Sequence, residues 1–420
     1  MKLARVLDRE DPLAGYRNEF VAEDPNLIYL DGNSLGRLPK KTVEVINHTI
    51  TEEWGNRLIR GWNEEWMGVT DRMGAKIARL IGARPDEVIL TDTTSVNLFK
   101  LAYAILKLQE SRRQIVSDEL NFPSDLYILQ GLADIFNQGH IIKLARSEDG
   151  ITIPENSLLN LVNAHTALVT VTHVCFKSSF MYNMETVTRR VHGHGAMIIW
   201  DLSHATGAVP VDLNGSHADM AVGCTYKYLN GGPGSIAYLY VRKDLQKQLF
   251  NPIRGWFADA NPFEFQLDFR PANDIHRFQV SSPPVLSAKA IEPGVDLLLH
   301  AGMGAVRKKS VRLTQYLIDC FDKWLKPVGF SLGSPRNPDY RGSHVSIRHP
   351  EAFRISQVLI HPPDGEVIII PDFRAPDNIR LGLAPLYNSF EEVCRTMLRI
   401  REIVDKKLYE QVSPDPGKVT

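Results

Sequence analysis

From about residue 88 to residue 241, short apolar runs rich in β-branched residues alternate with longer helical patterns, and this alternation most narrows the folds open to the chain. Val88-Ile89-Leu90, Gln114-Ile115-Val116, Ile141-Ile142, Ala167 to Val174, Met197 to Trp200, Met220-Ala221-Val222 and Ile236 to Val241 read as strands. They do not alternate polar with apolar, which is the mark of strands covered on both faces. Ser95 to Gln109, Ser124 to Phe136 and Met184 to His194 read as helices between them. The expected fold class is α/β, a mostly parallel mixed sheet flanked by helices.

The pattern changes at Pro283-Pro284. A long helical segment follows, then strands at Val345-Ser346-Ile347, Val367 to Ile370 and Ile379 to Leu383, and a last helix from Ser389 to Lys407. A chain of 420 residues exceeds one core, since domains run to about 250 residues. The expected division is a large domain over 66–285 and a smaller α+β domain over 286–420, with the segment 1–65 packed beside the latter. The first fifteen residues and the tail from Val412 through Ser413-Pro414-Asp415-Pro416-Gly417 read as poorly anchored.

Charge and cysteine usage exclude several classes. With 48 basic and 49 acidic residues the formal charge is −1, so no global field draws in nucleic acid or an anionic membrane. The cluster Arg307-Lys308-Lys309 reads as a solvated helix face. The four cysteines form no CxxC pair, so neither a zinc knuckle nor a disulfide scaffold is indicated, and a reducing compartment fits. The first ten residues lack an apolar signal core, and no uncharged run approaches the roughly 18 residues of a membrane span. A cytoplasmic protein is expected.

Four short segments carry the chemistry. In Met197-Ile198-Ile199-Trp200-Asp201 an apolar strand ends in a carboxylate, with His204 three residues on. Ligands of open α/β sheets sit at strand carboxyl ends, where Asp201 suits the ring nitrogen of pyridoxal phosphate and keeps it protonated. A second apolar strand leads into Cys224-Thr225-Tyr226-Lys227-Tyr228 and a glycine-rich run. A lysine in such surroundings has a depressed pKa, which suits a Schiff-base nucleophile. Thr93-Thr94-Ser95, between strand and helix, offers hydroxyls and free N–H groups to a phosphate, the same donors that a plain helix cap uses. Asn121-Phe122-Pro123-Ser124-Asp125 again precedes a helix; Phe122 suits stacking on a pyridine ring and Ser124 a further phosphate contact.

These four elements, in this order, resemble the fold-type-I pyridoxal enzymes, and more narrowly the kynureninases. The resemblance rests on Tyr29-Leu30-Asp31-Gly32-Asn33-Ser34-Leu35-Gly36, Thr94 to Leu98, Phe122 to Asp125, Trp200 to Ala205, Gly223 to Gly232, Gly255-Trp256-Phe257, Arg341 to Ser346 and Pro385-Leu386-Tyr387. It covers residues 28 to 408, and the runs around Lys227 and Gly36 are its most specific parts. It implies that Lys227 holds the cofactor aldehyde and that Thr94, Ser95, Phe122, Ser124, Asp125, Asp201, His204 and Tyr226 line the cofactor. Trp256 and Ser282 match positions that reach the phosphate from the other subunit of a homodimer. Arg380 matches the arginine for the substrate carboxylate, Ser34, Asn56 and Trp62 fall in segments that contact substrate, and Tyr226 is a proton donor. The implied reaction is hydrolysis of the Cβ–Cγ bond of kynurenine or 3-hydroxykynurenine, giving anthranilate or 3-hydroxyanthranilate and alanine.

One segment departs from the resemblance. Cys175-Phe176 and Ser178-Ser179 stand where kynureninases carry Asn-Tyr and Thr-Gly, and a thiol does not replace an amide donor. Two alternatives stay open beside the hydrolase: a pyridoxal-dependent β-lyase or hydrolase acting on another β-substituted amino acid, and a non-catalytic cofactor-binding relative. All four cysteines read as packing residues.

Overall fold

The computed structural model describes residues 1–363 and 365–413. Seven strands form the main sheet: β1 (Val88–Leu90), β2 (Gln114–Asp118), β3 (Ile141–Ala145), β4 (Thr166–Thr172), β5 (Met197–Asp201), β6 (Met220–Gly223) and β7 (Tyr238–Val241). Their spatial order is β1-β7-β6-β5-β4-β2-β3. Only β7 runs against its neighbours; the pairs from β6 to β3 are parallel. Every residue of β4, β5, β6 and β7 is buried, because a distinct apolar cluster packs on each face of the sheet. That burial is why these strands read as continuous apolar runs. The helices α1 (Thr94–Leu108) and α2 (Pro123–Phe136) follow β1 and β2 and start at the sheet's carboxyl edge, as crossover helices must.

A separate core gathers Leu313, Leu317, Phe321, Val345, Ile347, Ile379, Leu381, Phe390, Met397 and Ile403 around a four-stranded antiparallel sheet. Its strands are β8 (Ser331–Leu332), β9 (His344–Arg348), β10 (Asp372–Arg374) and β11 (Asn378–Gly382), in the order β10-β11-β9-β8. The short β8 and β10 had no apolar run to announce them. Ala4, Ile28 and Leu30 from the start of the chain join this core, and Leu27–Tyr29 pairs in parallel with Ile368–Ile370. The helix Val285–Ala301 instead sends Ala288, Ile291, Val295 and Leu298 into the core of the main sheet.

Two sequence expectations are corrected. The first fifteen residues are anchored: Lys2–Arg9 is a helix, the Asp8 carboxylate accepts from the N–H groups of Phe390 and Glu391 at 2.7 and 2.9 Å, and buried Asp11 pairs with Lys309 at 2.6 Å. Asp8 thereby caps a helix nearly 400 residues away, a long-range contact that leaves no local pattern. For the same reason Arg307-Lys308-Lys309 is no solvated face: Lys309 is buried on Asp11, and Arg307 donates to the carbonyls of Pro338 and Arg341. Only Lys308 is exposed. Of the tail, the Val412 carbonyl accepts from Arg354 at 2.8 Å; residues 414–420 lie outside the described residues. Among the described residues, no helix is long and apolar enough to cross a membrane.

The strap 274–282, which ends at Ser282, is tied down by His276. Its two ring nitrogens lie 2.9 Å from Asp274 Oδ1 and 2.9 Å from Asp71 Oδ1. Hydrogen bonds to Asp274, then Asp71, raise the imidazole from 6.5 to about 10. A raised folded-state pKa stabilises fully below the unfolded value and loses that effect as pH climbs through the folded value. His276→Gln is therefore expected to lower the Tm by about 1–4 °C at pH 6, with the gap to the parent closing as the pH passes 10. Thermal melts across that range check it.

Candidate active site

The parallel register sets Thr172, Asp201 and Val222 side by side at the carboxyl ends of β4, β5 and β6. Asp201 is the last residue of β5 and is almost fully buried. Its Oδ1 accepts from the Ser203 N–H at 2.7 Å. Burial raises its pKa, opposed by that hydrogen bond and by the charge of Lys227. Lys227 follows β6 by four residues, and its Nζ lies 3.2 Å from His204 Nε2 and 5.7 Å from the centroid of the Tyr226 ring. Desolvation pulls the ammonium below the ordinary lysine range, against the opposing influence of Cys224 and Asp201. His204 is held well below its usual value by burial and then by the Lys227 charge, so it stays neutral. Burial raises the Tyr226 phenol, which keeps its proton.

The hydroxyl pair expected for a phosphate comes together. Ser95, in the first turn of α1, and Ser124, in the first turn of α2, place their Oγ atoms 2.9 Å apart. Thr93 is the N-cap, accepting from Val96 N–H, and Thr94 opens the helix half-buried beside it. Two helix N-termini converging on two hydroxyls make an anion seat. Phe122 is 42% exposed and meets Phe176 edge-on, with centroids 5.3 Å apart. Asp125 is buried, with Oδ2 unpartnered. Its pKa is raised well above the carboxylate range by burial and the nearby Asp201, with Lys227 opposing.

Arg380, on β11, is 1% exposed. It donates from Nη1 to the Phe176 carbonyl at 2.6 Å and from Nη2 to Ser34 Oγ at 2.7 Å. Nη2 also pairs with Asp372, and Asn33, with its amide oxygen turned inward, accepts from Nε at 2.7 Å. The Asp31–Gly36 run reaches this place because Gly36 N–H donates to the Tyr226 carbonyl at 2.7 Å, and a Cβ at Gly36 would collide with the Lys227 carbonyl oxygen. Asp31 has its Oδ1 unpartnered, 4.0 Å from Arg380, and burial followed by the Asp372 charge raises it to about 6.

The departing segment 175–180 joins the two cores. Cys175 S–H donates to the Leu120 carbonyl at 3.4 Å, Ser346 Oγ donates to the Lys177 carbonyl, and Gly342 N–H donates to the Ser179 carbonyl. Burial raises the Cys175 thiol, so it is a packing group. Cys224, Cys320 and Cys394 are likewise free and buried.

Other expected residues fall elsewhere. Asn56 donates to Glu52 at 2.9 Å, and Trp62 packs on Trp66 and Phe257. Trp256 is exposed against Phe257, Phe263 and Phe265. Ser282 lines a cavity of about 310 Å³ with Asp92, Gly234 and Ser281. Among the described residues no hydrogen bond, ion pair or ring contact joins these four to Lys227, Ser95 or Arg380 within one chain. Sequence reasoning missed Asn33, Asp31 and Asp372 as the partners of Arg380. It also gave no role to His344, a fully buried histidine with ring centroid 5.8 Å from that of His204. Both His344 and the Asp31–Gly36 run stood in segments that carried the resemblance, and that was the available signal.

The donor set fits pyridoxal phosphate: paired hydroxyls at two helix N-termini, a buried strand-end carboxylate, a desolvated lysine and an unsatisfied Asp125 oxygen surround one place. Fold and site define a pyridoxal-phosphate-dependent enzyme of fold type I. The family model for aminotransferase class V matches residues 28–352, and that for the kynureninase C-terminal domain matches residues 306–400. A kynureninase from Pseudomonas fluorescens is 42% identical over 97% of this chain and 96% of its own, and one from Burkholderia mallei is 40% identical over the same shares. The chain belongs to the kynureninase family. Solved cysteine desulfurases from Thermococcus onnurineus and Escherichia coli share the fold, each with TM-score 0.77. They are 20% and 16% identical, covering 96% of this chain and 98% and 99% of theirs.

Proposed function

We propose that this enzyme cleaves the Cβ–Cγ bond of kynurenine with water, releasing anthranilate and alanine, and that the residues around Lys227 carry the reaction. The observation that carries this reading is the placement of a desolvated lysine among Asp201, His204 and Tyr226, with Arg380 presented from the second core. The bound cofactor supplies an aldehyde for amines and a pyridinium ring that accepts electrons from the substrate α-carbon. Lys227 would hold that aldehyde at rest, and its lowered pKa suits it to take the substrate α-proton. Asp201 holds the proton on the ring nitrogen. Ser95, Ser124 and Thr94 seat the phosphate, and Phe122 covers the ring. His204 stays neutral beside Lys227 and adds no second positive charge. Tyr226 enters the reaction protonated and would act as a proton donor near the phosphate. Arg380, with Ser34, orients the substrate carboxylate.

The split of the remaining residues supports a homodimer. Trp256, Phe263 and Phe265 form a mutually packed exposed aromatic patch beside the fully exposed Leu267, which Trp62 adjoins through Phe257. A second copy seated there covers the patch and delivers Trp256 and Ser282 to its neighbour's phosphate site, while Asn56 and Trp62 are assigned to the substrate. We take 1–65, 66–285 and 286–420 as the working divisions of a cytoplasmic enzyme, with the helix Val285–Ala301 at the start of the third packed on the core of the second. Trp256→Ser with Phe265→Ser is expected to weaken self-association about 100-fold, measured by sedimentation at graded concentrations. For the reaction itself, products from kynurenine, 3-hydroxykynurenine and cysteine are compared. Anthranilate or 3-hydroxyanthranilate with equimolar alanine supports the hydrolase; sulfur release from cysteine alone contradicts it.

A further inference from the structure

The phosphate seat is backed by a charged lock that the reaction does not use. Lys100 lies within α1, five residues beyond Ser95, with its side chain fully buried. Its Nζ donates to Asp92 Oδ2 at 2.7 Å and to the Phe278 carbonyl at 2.6 Å. Thr91 closes the ring, its hydroxyl donating to Asp92 Oδ2 at 2.9 Å. Asn97 then ties α1 to the Thr91 carbonyl at 2.7 Å. Asp92 is in the left-handed region, with φ of 45°, a conformation that a non-glycine residue adopts at some cost. It is also the residue immediately before the cap Thr93 and the donors Thr94 and Ser95. On the other side, the Phe278 carbonyl stands four residues before Ser282.

Helix packing does not explain a lysine here. A buried ammonium carries a desolvation cost that an apolar side chain of similar length avoids. A cation near a helix N-terminus also opposes the helix dipole. What the ammonium alone supplies is donors to two separate segments at once. We propose that Lys100 is a positioning residue for the cofactor phosphate: through Asp92 it fixes the turn that presents Thr94 and Ser95, and through Phe278 it fixes the strap that ends at Ser282. The proposal rests on the reading of Thr94, Ser95 and Ser124 as the phosphate seat.

The test compares pyridoxal 5'-phosphate with pyridoxal, which lacks the phosphate, binding to the full-length apoenzyme and followed by absorbance. In Lys100→Met the affinity for pyridoxal phosphate is expected to fall about tenfold or more, while that for pyridoxal stays within about twofold. Asp92→Asn, which breaks the lock from its partly exposed side, is expected to show the same selectivity and stands in if Lys100→Met does not fold. Equal losses for both ligands, or no loss, would overturn the proposal. Ser95→Ala separates it from the reading beneath: selective loss in Ser95→Ala without loss in the lock variants sinks Lys100 alone, and no selectivity in Ser95→Ala sinks both.

Discussion

Lys227→Ala is expected to abolish turnover, lowering kcat at least about 10⁴-fold, because one amine both holds the cofactor and moves the α-proton. No neighbour can replace it. His204, 3.2 Å away, is made a weak base chiefly by its burial, which persists without Lys227, and an imidazole cannot hold the aldehyde as an imine. Tyr226 keeps its proton because burial raises its phenol, so it cannot take the α-proton. The noncovalent contacts survive: Ser95 with Ser124 at the phosphate, and Asp201 at the ring nitrogen. Cofactor should therefore still bind, with the spectrum of a free aldehyde. Stopped assays for anthranilate, together with spectra of the same preparation, check both halves. Residual turnover within a hundredfold of the parent would remove Lys227 from its assigned place.

Arg380→Lys is expected to raise KM for kynurenine about 10–100-fold and to change kcat within about threefold. The guanidinium is fixed on Asn33, Ser34, Asp372 and the Phe176 carbonyl, so its fork meets a carboxylate already oriented. An ammonium keeps the charge but not the fork. It also keeps a cation opposite buried Asp372, so folding should persist. Arg380→Met leaves that buried carboxylate with only the part-exposed Arg374, 3.0 Å away, so the loss should stay below the about 3–5 kcal/mol of a wholly unpaired buried charge, and its melting temperature should still fall below that of the lysine variant. Steady-state kinetics and melts of the two variants separate substrate binding from folding. An unchanged KM in Arg380→Lys would move the carboxylate site elsewhere.

The inner strands of the main sheet were legible because burial on both faces makes them apolar throughout. Asp201 and Lys227 were legible because a charge at the end of such a strand, or within a few residues of it, is conspicuous. Ser95 and Ser124 were legible as helix starts, though their approach to 2.9 Å is a tertiary fact. The surroundings of Arg380 were not: Asp31 and Asn33 come from one segment and Asp372 from another over 300 residues away, and pairing across β10 and β11 brings Asp372 opposite Arg380. The anchoring of the first residues by Asp8 and Asp11 escaped for the same reason. A capping or pairing partner hundreds of residues away leaves no periodicity to read. The Cys175 segment stood out as unusual, but its part in joining the two cores lay in contacts to backbone carbonyls of distant segments, which no local pattern encodes.

The most direct test of the central claim is the absorption spectrum of the purified protein before and after kynurenine is added, with anthranilate fluorescence followed in the same cuvette. A cofactor band at the edge of the visible, its perturbation on mixing, and fluorescence that rises with each turnover are expected. A protein that shows no such band even after pyridoxal phosphate is supplied, or a band that kynurenine perturbs with no anthranilate formed, would contradict it.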